Sequence, residues 1–150
     1  MMVAGRPWLR TAGWMSLAAS LLHVAVIFGG PDWYRFFGAG EELAQAAERG
    51  SLAPTVITLI VAGILATWAA FAFGAAGIIR RLPLTRTALI AISAVLLARA
   101  ALGFVPSAWA PEQWPAFAIW SSGICFVMGA CFAIGTWLAW PHLSRRKKVE

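Results

Sequence analysis

Charge is what this chain lacks most. Of its 150 residues only 12% are charged, about half the share of an average soluble domain. Hydrophobic residues make up 61%, and the mean hydropathy is +0.76. A soluble fold of this length could not bury so much apolar surface, which leaves a lipid bilayer as the natural solvent. Cysteine is scarce too. Cys125 and Cys131 lie six apart in one apolar run, so in a helix they point ~120° apart and cannot bridge each other. No CxxC or Cys/His metal spacing occurs, and the pair reads as two small buried apolar residues. No metal and no cofactor is expected. No HExxH, glycine-rich phosphate loop or nucleophile elbow is present. The formal charge of +6 sits in short clusters between long apolar runs. That is the distribution of membrane topology signals rather than of a nucleic-acid-binding surface, so no nucleic-acid partner is expected.

What is present is length of apolar sequence. Four stretches reach the ~20 residues needed to cross hydrocarbon: about 8–29, 54–79, 84–104 and 115–140. Pro54 and Pro115 stand where a helix's first turn tolerates proline, because the missing N–H is unpaired there anyway. The first run is longer than the apolar part of a signal peptide, and no small-x-small cleavage site follows it, so it reads as a retained span. The expected fold is all-α: an integral membrane four-helix bundle with both termini inside. A short amphipathic extracytoplasmic segment is expected between the first two spans. The chain reads as one domain, 1–150.

Flanking charge gives the orientation. The N-terminal segment carries +2 from Arg6 and Arg10, the first loop −2, the second +3 from Arg80, Arg81 and Arg86, the third −1 from Glu112, and the tail 141–150 +3. The Lys/Arg excess alternates at every crossing, with the cytoplasmic side positive. Tryptophans agree: Trp8, Trp14, Trp137 and Trp140 fall at the inner interface, and Trp33, Trp109, Trp114 and Trp120 at the outer one. There the apolar indole ring meets lipid while its N–H meets water. Only Trp68 falls near mid-span. The short loop from Arg80 to Arg86 predicts that the second and third spans are antiparallel neighbours. Alanine, glycine and arginine usage suggests a GC-rich bacterial source, hence a bacterial inner membrane.

The outer segment 31–53 is too polar to span. Trp33, Tyr34, Phe36 and Phe37 make it interfacial, Gly38 and Gly40 break it, and Glu41 to Arg49 reads as a short helix. That helix has acids at its N-terminal end and Gly50 as its stop. Small residues recur at helical spacing on each span: Ala12, Ser16 and Ser20; Ala66, Ala70 and Gly74; Ala94, Ala98 and Ala101; Ser121, Cys125, Gly129 and Ala133. Such ridges let helices approach closely in lipid and are expected to pack the bundle internally.

Two ionisable residues fall inside spans, where they are rare, and two readings compete: Arg99 snorkels to the outer headgroups while His23 bonds a serine or a carbonyl, or the two belong to a functional site. Arg99 lies ~8 Å below the outer boundary at 1.5 Å rise per residue, and His23 ~9 Å. Ser121 and Ser122 fall at ~9–10 Å and Thr58 at ~6 Å, with Ser20 one turn below His23. The expectation is one polar layer in the outer leaflet, capped by the outer segment. Arg99 would hold an anionic group, His23 would accept a proton or hydrogen bond, Asp32, Glu41 and Glu42 would offer counter-charge to Arg99, and Tyr34 would join the cap. Membrane lipids are the surrounding partners. Binding or transport of a small amphipathic or anionic ligand follows as the first functional expectation, with a homo-oligomer where transport needs a wider path. A structural or accessory membrane subunit assembling through the small-residue faces is the alternative. A membrane enzyme with His23 as general base toward a lipid-like substrate is a third reading. No acid in the first span supports a proton-coupled exporter of the small multidrug type, and no redox cysteine pair supports a quinone-linked disulfide-forming enzyme. His142 lies at the face opposite His23, so the two cannot ligate one haem.

Overall fold

In the computed structural model, backbone is described for residues 4–109 and 116–144, and side chains for 4–104 and 117–144. The expected basic tail (Arg145 to Lys148, with Glu150), Glu112, Trp114 and Pro115 lie outside the described residues, as does the side chain of Trp109. The described chain is all-helical: α1 Arg6–Phe36, α2 Glu41–Glu48, α3 Ala53–Ala76, α4 Thr85–Trp109 and α5 Ala116–Ser144. α1, α3, α4 and α5 are each long and apolar enough to cross a membrane.

The ends of these helices follow from proline and glycine. Pro7 and Pro54 stand in the first turns of α1 and α3, where ring and helix agree in φ. Gly38, Gly50 and Gly77 lie at left-handed φ of 67°, 72° and 77°, just past α1, α2 and α3. Each closes the same pair of bonds. At Gly77, for example, its N–H meets Gly74 O and the Ile78 N–H meets Phe73 O, so carbonyls that a helix end would orphan are satisfied. α1 is two helices joined at a kink. Gly30 adopts φ 67°, ψ −156°, a conformation open essentially to glycine alone, and Pro31 restarts the helix to Phe36.

α1 is the organising element. It packs along α3 on one side and against α5 on the other, α4 packs along α5, and α3 and α4 touch only sparingly. Leu9 is fully buried beneath Gly135 of α5. A Cβ at Gly135 would stand 2.8 Å from Leu9 Cγ and 3.1 Å from Leu9 N, so α1 and α5 come together as closely as glycine permits. On the other side Gly13 takes the ring of Phe73, whose edge also meets Trp14 at 5.1 Å. Leu89, Ile92 and Leu96 of α4 join Met128 and Phe132 of α5 in the same core. At one end of the molecule, Arg81 donates to the carbonyls of His142, at 3.4 Å, and Leu143. Arg86 there lies 4.0 Å above the Trp140 ring. Cations at a helix C-terminus oppose its partial negative charge.

The ridges of small residues are read correctly on α1, where Ala12, Ser16 and Ser20 are all buried. On α3 the expectation holds only in part: Gly74 is buried and Ala70 half-buried, but Ala66 is exposed, and Ala62, Leu65, Ala69, Ala72 and Ala76 form the rest of the buried face. α4 is a correction: Ala94, Ala98 and Ala101 all face outward. Of the α5 ridge only Gly129 is fully buried, with Ser121, Cys125 and Ala133 at its margin. The helices also outrun three of the expected spans, α1 running from Arg6 to Phe36, α4 reaching Trp109 across Pro106 and α5 reaching Ser144.

These faces set opposite expectations for the same kind of substitution. Gly135→Leu must overpack the α1–α5 contact and should cost about 1–3 kcal/mol or more. Ala98→Leu adds volume on an outward face and should stay within about 0.5 kcal/mol. Unfolding by SDS titration in mixed micelles compares the two directly, and equal losses would refute the assigned faces.

Candidate functional site

The polar side chains expected in one layer divide between two helix pairs. On the α1–α3 side, Ser20 Oγ donates to Ala62 O at 2.8 Å, a bond that crosses between helices. The Thr58 hydroxyl donates to Pro54 O at 2.7 Å and lies 3.4 Å from the hydroxyl of the buried Tyr34. Tyr34 packs with Val26 and Ala44, which seats α2 against the end of α1. His23 is half-buried. Its Nδ1 stands 2.7 Å from Ala19 O, and since a carbonyl only accepts, Nδ1 carries a hydrogen. Ser20 and His23 are thus each committed to a carbonyl and do not form a nucleophile–base pair.

On the α4–α5 side stands Arg99. Its Nη1 donates to Ser122 Oγ and its Nη2 to Ser121 Oγ, both at 3.3 Å. The two hydroxyls in turn donate to Ala118 O at 2.7 and 3.1 Å. The serines therefore relay the guanidinium's field to a backbone carbonyl, which polarises such chains cooperatively. Gly103 makes the arrangement possible: a Cβ there would lie 1.7 Å from Ser122 Oγ and 3.2 Å from Arg99 Nη1. α4 continues to Trp109, which places Arg99 ~15 Å of rise from the helix end. It occupies the middle of α4, and serine hydroxyls take its N–H groups.

The expected counter-charges go elsewhere. Glu41 meets Arg35 through two bonds, Nη2–Oε1 at 2.8 Å and Nε–Oε2 at 2.9 Å. Glu48 meets Arg35 at 2.8 Å and Asp32 meets it at 3.6 Å. Arg35 is closer in the chain and on the same side of the Gly30 kink, so it captures the acids, including Glu48, which the sequence reading left out. Glu42 is exposed and forms no ion pair among the described residues. No carboxylate pairs with Arg99 among the described residues. The hub pins α2 over the ends of α1 and α3. Phe37, stacked edge-on against Phe117 at 6.0 Å, carries the cap across to α5.

A further feature was invisible in the sequence. Where α3 and α4 diverge, a groove of about 220 Å³ opens. Thr67, Trp68 and Phe71 of α3 form one wall and Ala88, Ile92 and Val95 of α4 the other. Trp68, the lone mid-span tryptophan, was the one available signal. Among the described residues, no group of three His, Cys, Asp or Glu could hold a metal ion. Compared with known proteins, the chain matches no protein-family model, no curated protein and no solved structure.

The cap carries a pH dependence. The Arg35 guanidinium bonded to Glu41 holds that carboxyl below the usual carboxylate range. A depressed folded-state pKa stabilises fully above the unfolded pKa and is lost as pH falls through the folded one. Protection of the α2 amides, as exchange rates relative to the unstructured chain at the same pH, should therefore be high at neutral pH and fall once pH drops below the ordinary carboxylate range. In Arg35→Gln it should be low at both. Acid-insensitive protection in the unmodified protein would contradict the hub's role.

Proposed function

We propose that this chain crosses a bacterial inner membrane four times, with both termini cytoplasmic, and binds a small lipophilic ligand whose anionic group is held at Arg99. The alternation of Lys/Arg excess supports the orientation. So does the gathering of Arg6, Arg81 and Arg86 around the α3 and α5 C-termini at one end of the molecule. Four helices enclose no wide aqueous path. Binding at the lipid-facing surface is accordingly the primary activity, and transport would require a homo-oligomer.

One observation carries the functional reading: a guanidinium in the middle of an apolar helix, paired with two neutral serines and with no carboxylate among the described residues. A charge in hydrocarbon is costly, and neutral hydroxyls offset only part of that cost. An anionic ligand would complete the compensation with charge-assisted, two-pronged bonds that a guanidinium is shaped to form.

A second reading, an accessory subunit, draws on a different observation. The Ala94, Ala98 and Ala101 face of α4 is small, outward and unused within the chain, the kind of surface on which a partner helix packs in lipid.

Native mass spectrometry from a mild detergent distinguishes the two. On the ligand reading, wild-type protein carries a defined adduct that Arg99→Ala loses and Arg99→Lys retains in part, with the helical circular dichroism unchanged. An adduct-free oligomer in all three, dispersed to monomer by Ala98→Leu, would instead establish the subunit reading.

A further inference from the structure

Positive charge is concentrated at one end of the molecule. Arg6 and Arg10 stand on the first turns of α1, Arg80 and Arg81 in the turn from α3 to α4, and Arg86 at the start of α4. The acids among the described residues, Asp32, Glu41, Glu42 and Glu48, lie beyond the Gly30 kink, which is ~36 Å of rise along α1 from Arg6. Contacts bring two of the arginines to neighbouring helix ends. Gly5 lodges against α5, where a Cβ on it would stand 2.7 Å from Ala139 N. The Arg6 guanidinium lies over Gly77 at the end of α3, its Nη2 3.5 Å from where a Cβ would be. Arg81 donates to the carbonyls of His142 and Leu143, one turn beyond Ala139. Its Cα would stand 3.5 Å from a Cβ on Gly74, one turn before Gly77. Both guanidinia are thus held where the C-terminal ends of α3 and α5 meet the start of α1. Their surroundings are neutral. Arg81 takes carbonyls, Arg86 takes the Trp140 ring at 4.0 Å, and the buried Nε of Arg6 has no partner among the described residues. No carboxylate pairs with any of the five among the described residues.

Resting on the four-span reading above, and not on a ligand at Arg99, we infer that this end binds an anionic phospholipid of the adjoining leaflet, its phosphate taken by Arg6 and Arg81. Two observations select that occupant. The first is charge. The site is cationic and without acid, so a phosphate that brings no cation of its own completes it, whereas a zwitterionic headgroup adds a competing ammonium. Each Nη of Arg81 keeps a second N–H beyond the one given to a carbonyl, and guanidinium forks from two elements suit the several oxygens of a phosphate. The second is what surrounds the arginines. The turn carrying Arg80 and Arg81 exposes Ile78, Ile79 and Leu84, the last by 80%. Trp8 and Trp137 expose their rings at the same end. Apolar and indole side chains level with the cations belong where headgroups meet hydrocarbon, and a free anion in water would leave them uncovered. Basic pockets between the cytoplasmic ends of spanning helices take lipid headgroups on this principle.

The experiment is native mass spectrometry of the full-length protein in a mild detergent, equilibrated with equal amounts of phosphatidylglycerol and phosphatidylcholine of matched chains. The unmodified protein should retain phosphatidylglycerol about tenfold over phosphatidylcholine, the difference of one charge-assisted contact. Arg6→Gln combined with Arg81→Gln should abolish the preference. Arg10→Gln combined with Arg80→Gln removes two exposed charges whose side chains hold nothing else in place, and should reduce the preference severalfold with the helical circular dichroism unchanged. Arg35→Gln, at the opposite end, should leave it intact. Equal retention of the two lipids by the unmodified protein, or a preference that survives both double variants, would overturn the inference. Displacement of the lipid by inorganic phosphate alone would make the occupant a free anion and overturn the lipid. A preference lost in Arg99→Ala but kept in both double variants would overturn this site and leave the Arg99 reading standing. A chain that stays monodisperse in buffer without detergent would overturn the four-span reading, and this inference with it.

Discussion

On long apolar helices, a polar side chain has to find its partner within the protein, and that constraint shapes the rest of this structure. The commonest solution is to reach back one turn to a carbonyl of the same helix. Thr58 does so to Pro54 O, Thr67 to Gly63 O, Ser93 to Leu89 O, Ser122 to Ala118 O and His23 to Ala19 O. Each bond removes a desolvation cost of order 1–3 kcal/mol without asking anything of a neighbouring helix. Association is then left to shape. Contacts such as Gly135 on Leu9 and Gly13 on Phe73 supply the close packing that helices in lipid rely on. Ser20, bonded to Ala62 O on α3, and Ser16, donating to Met128 Sδ on α5 at 3.4 Å, add specific cross-links. Thr136 Oγ1 is buried with no partner among the described residues.

Arg99 cannot use that solution. A guanidinium has five N–H donors and no local carbonyl geometry that takes them. It reaches across to α5, where Ser121 and Ser122 have already given their hydrogens to Ala118 O and so have lone pairs to offer. Self-satisfaction of the serines is what orients them as acceptors toward the arginine. The same logic places the acids. Glu41, Glu48 and Asp32 lie beyond the Gly30 kink with Arg35 beside them, and they pair there at the exposed end of the molecule.

These two cases show which parts of the sequence were readable. The long helices were, because length and hydropathy act locally, and so were the breaks, because proline and positive-φ glycine act on single residues. Helix α2 and its stop at Gly50 were legible for the same reason. Faces were not. α3 and α5 are apolar almost all round, and α3 has alanine on every side, so Ala66–Ala70–Gly74 and Ala62–Ala69–Ala76 are equally plausible ridges; only the neighbouring helix decides between them. Arg99 stood out as a charge in an apolar run, and counting residues along α5 brought Ser121 and Ser122 to it. Its counter-charges were misassigned because Arg35 competes for them from nearby.

The groove has its origin in connectivity. α3 is committed to α1, and α4 to α5, and these pairs are joined by the α1–α5 contact. The turn from α3 to α4 could have drawn the remaining two helices together. Instead Gly77 closes α3 in a left-handed conformation, Leu84 takes a positive φ of 56° just before α4, and Arg81 and Arg86 fasten the turn to the C-terminal end of α5. The turn therefore holds α4 to α5 rather than to α3. With one seam of the four left loosely closed, Trp68 and Phe71 stand opposite Ala88, Ile92 and Val95 with space between. A larger residue than alanine at 88 or 91 would fill that space with side chain. The small residues on α4 keep it open.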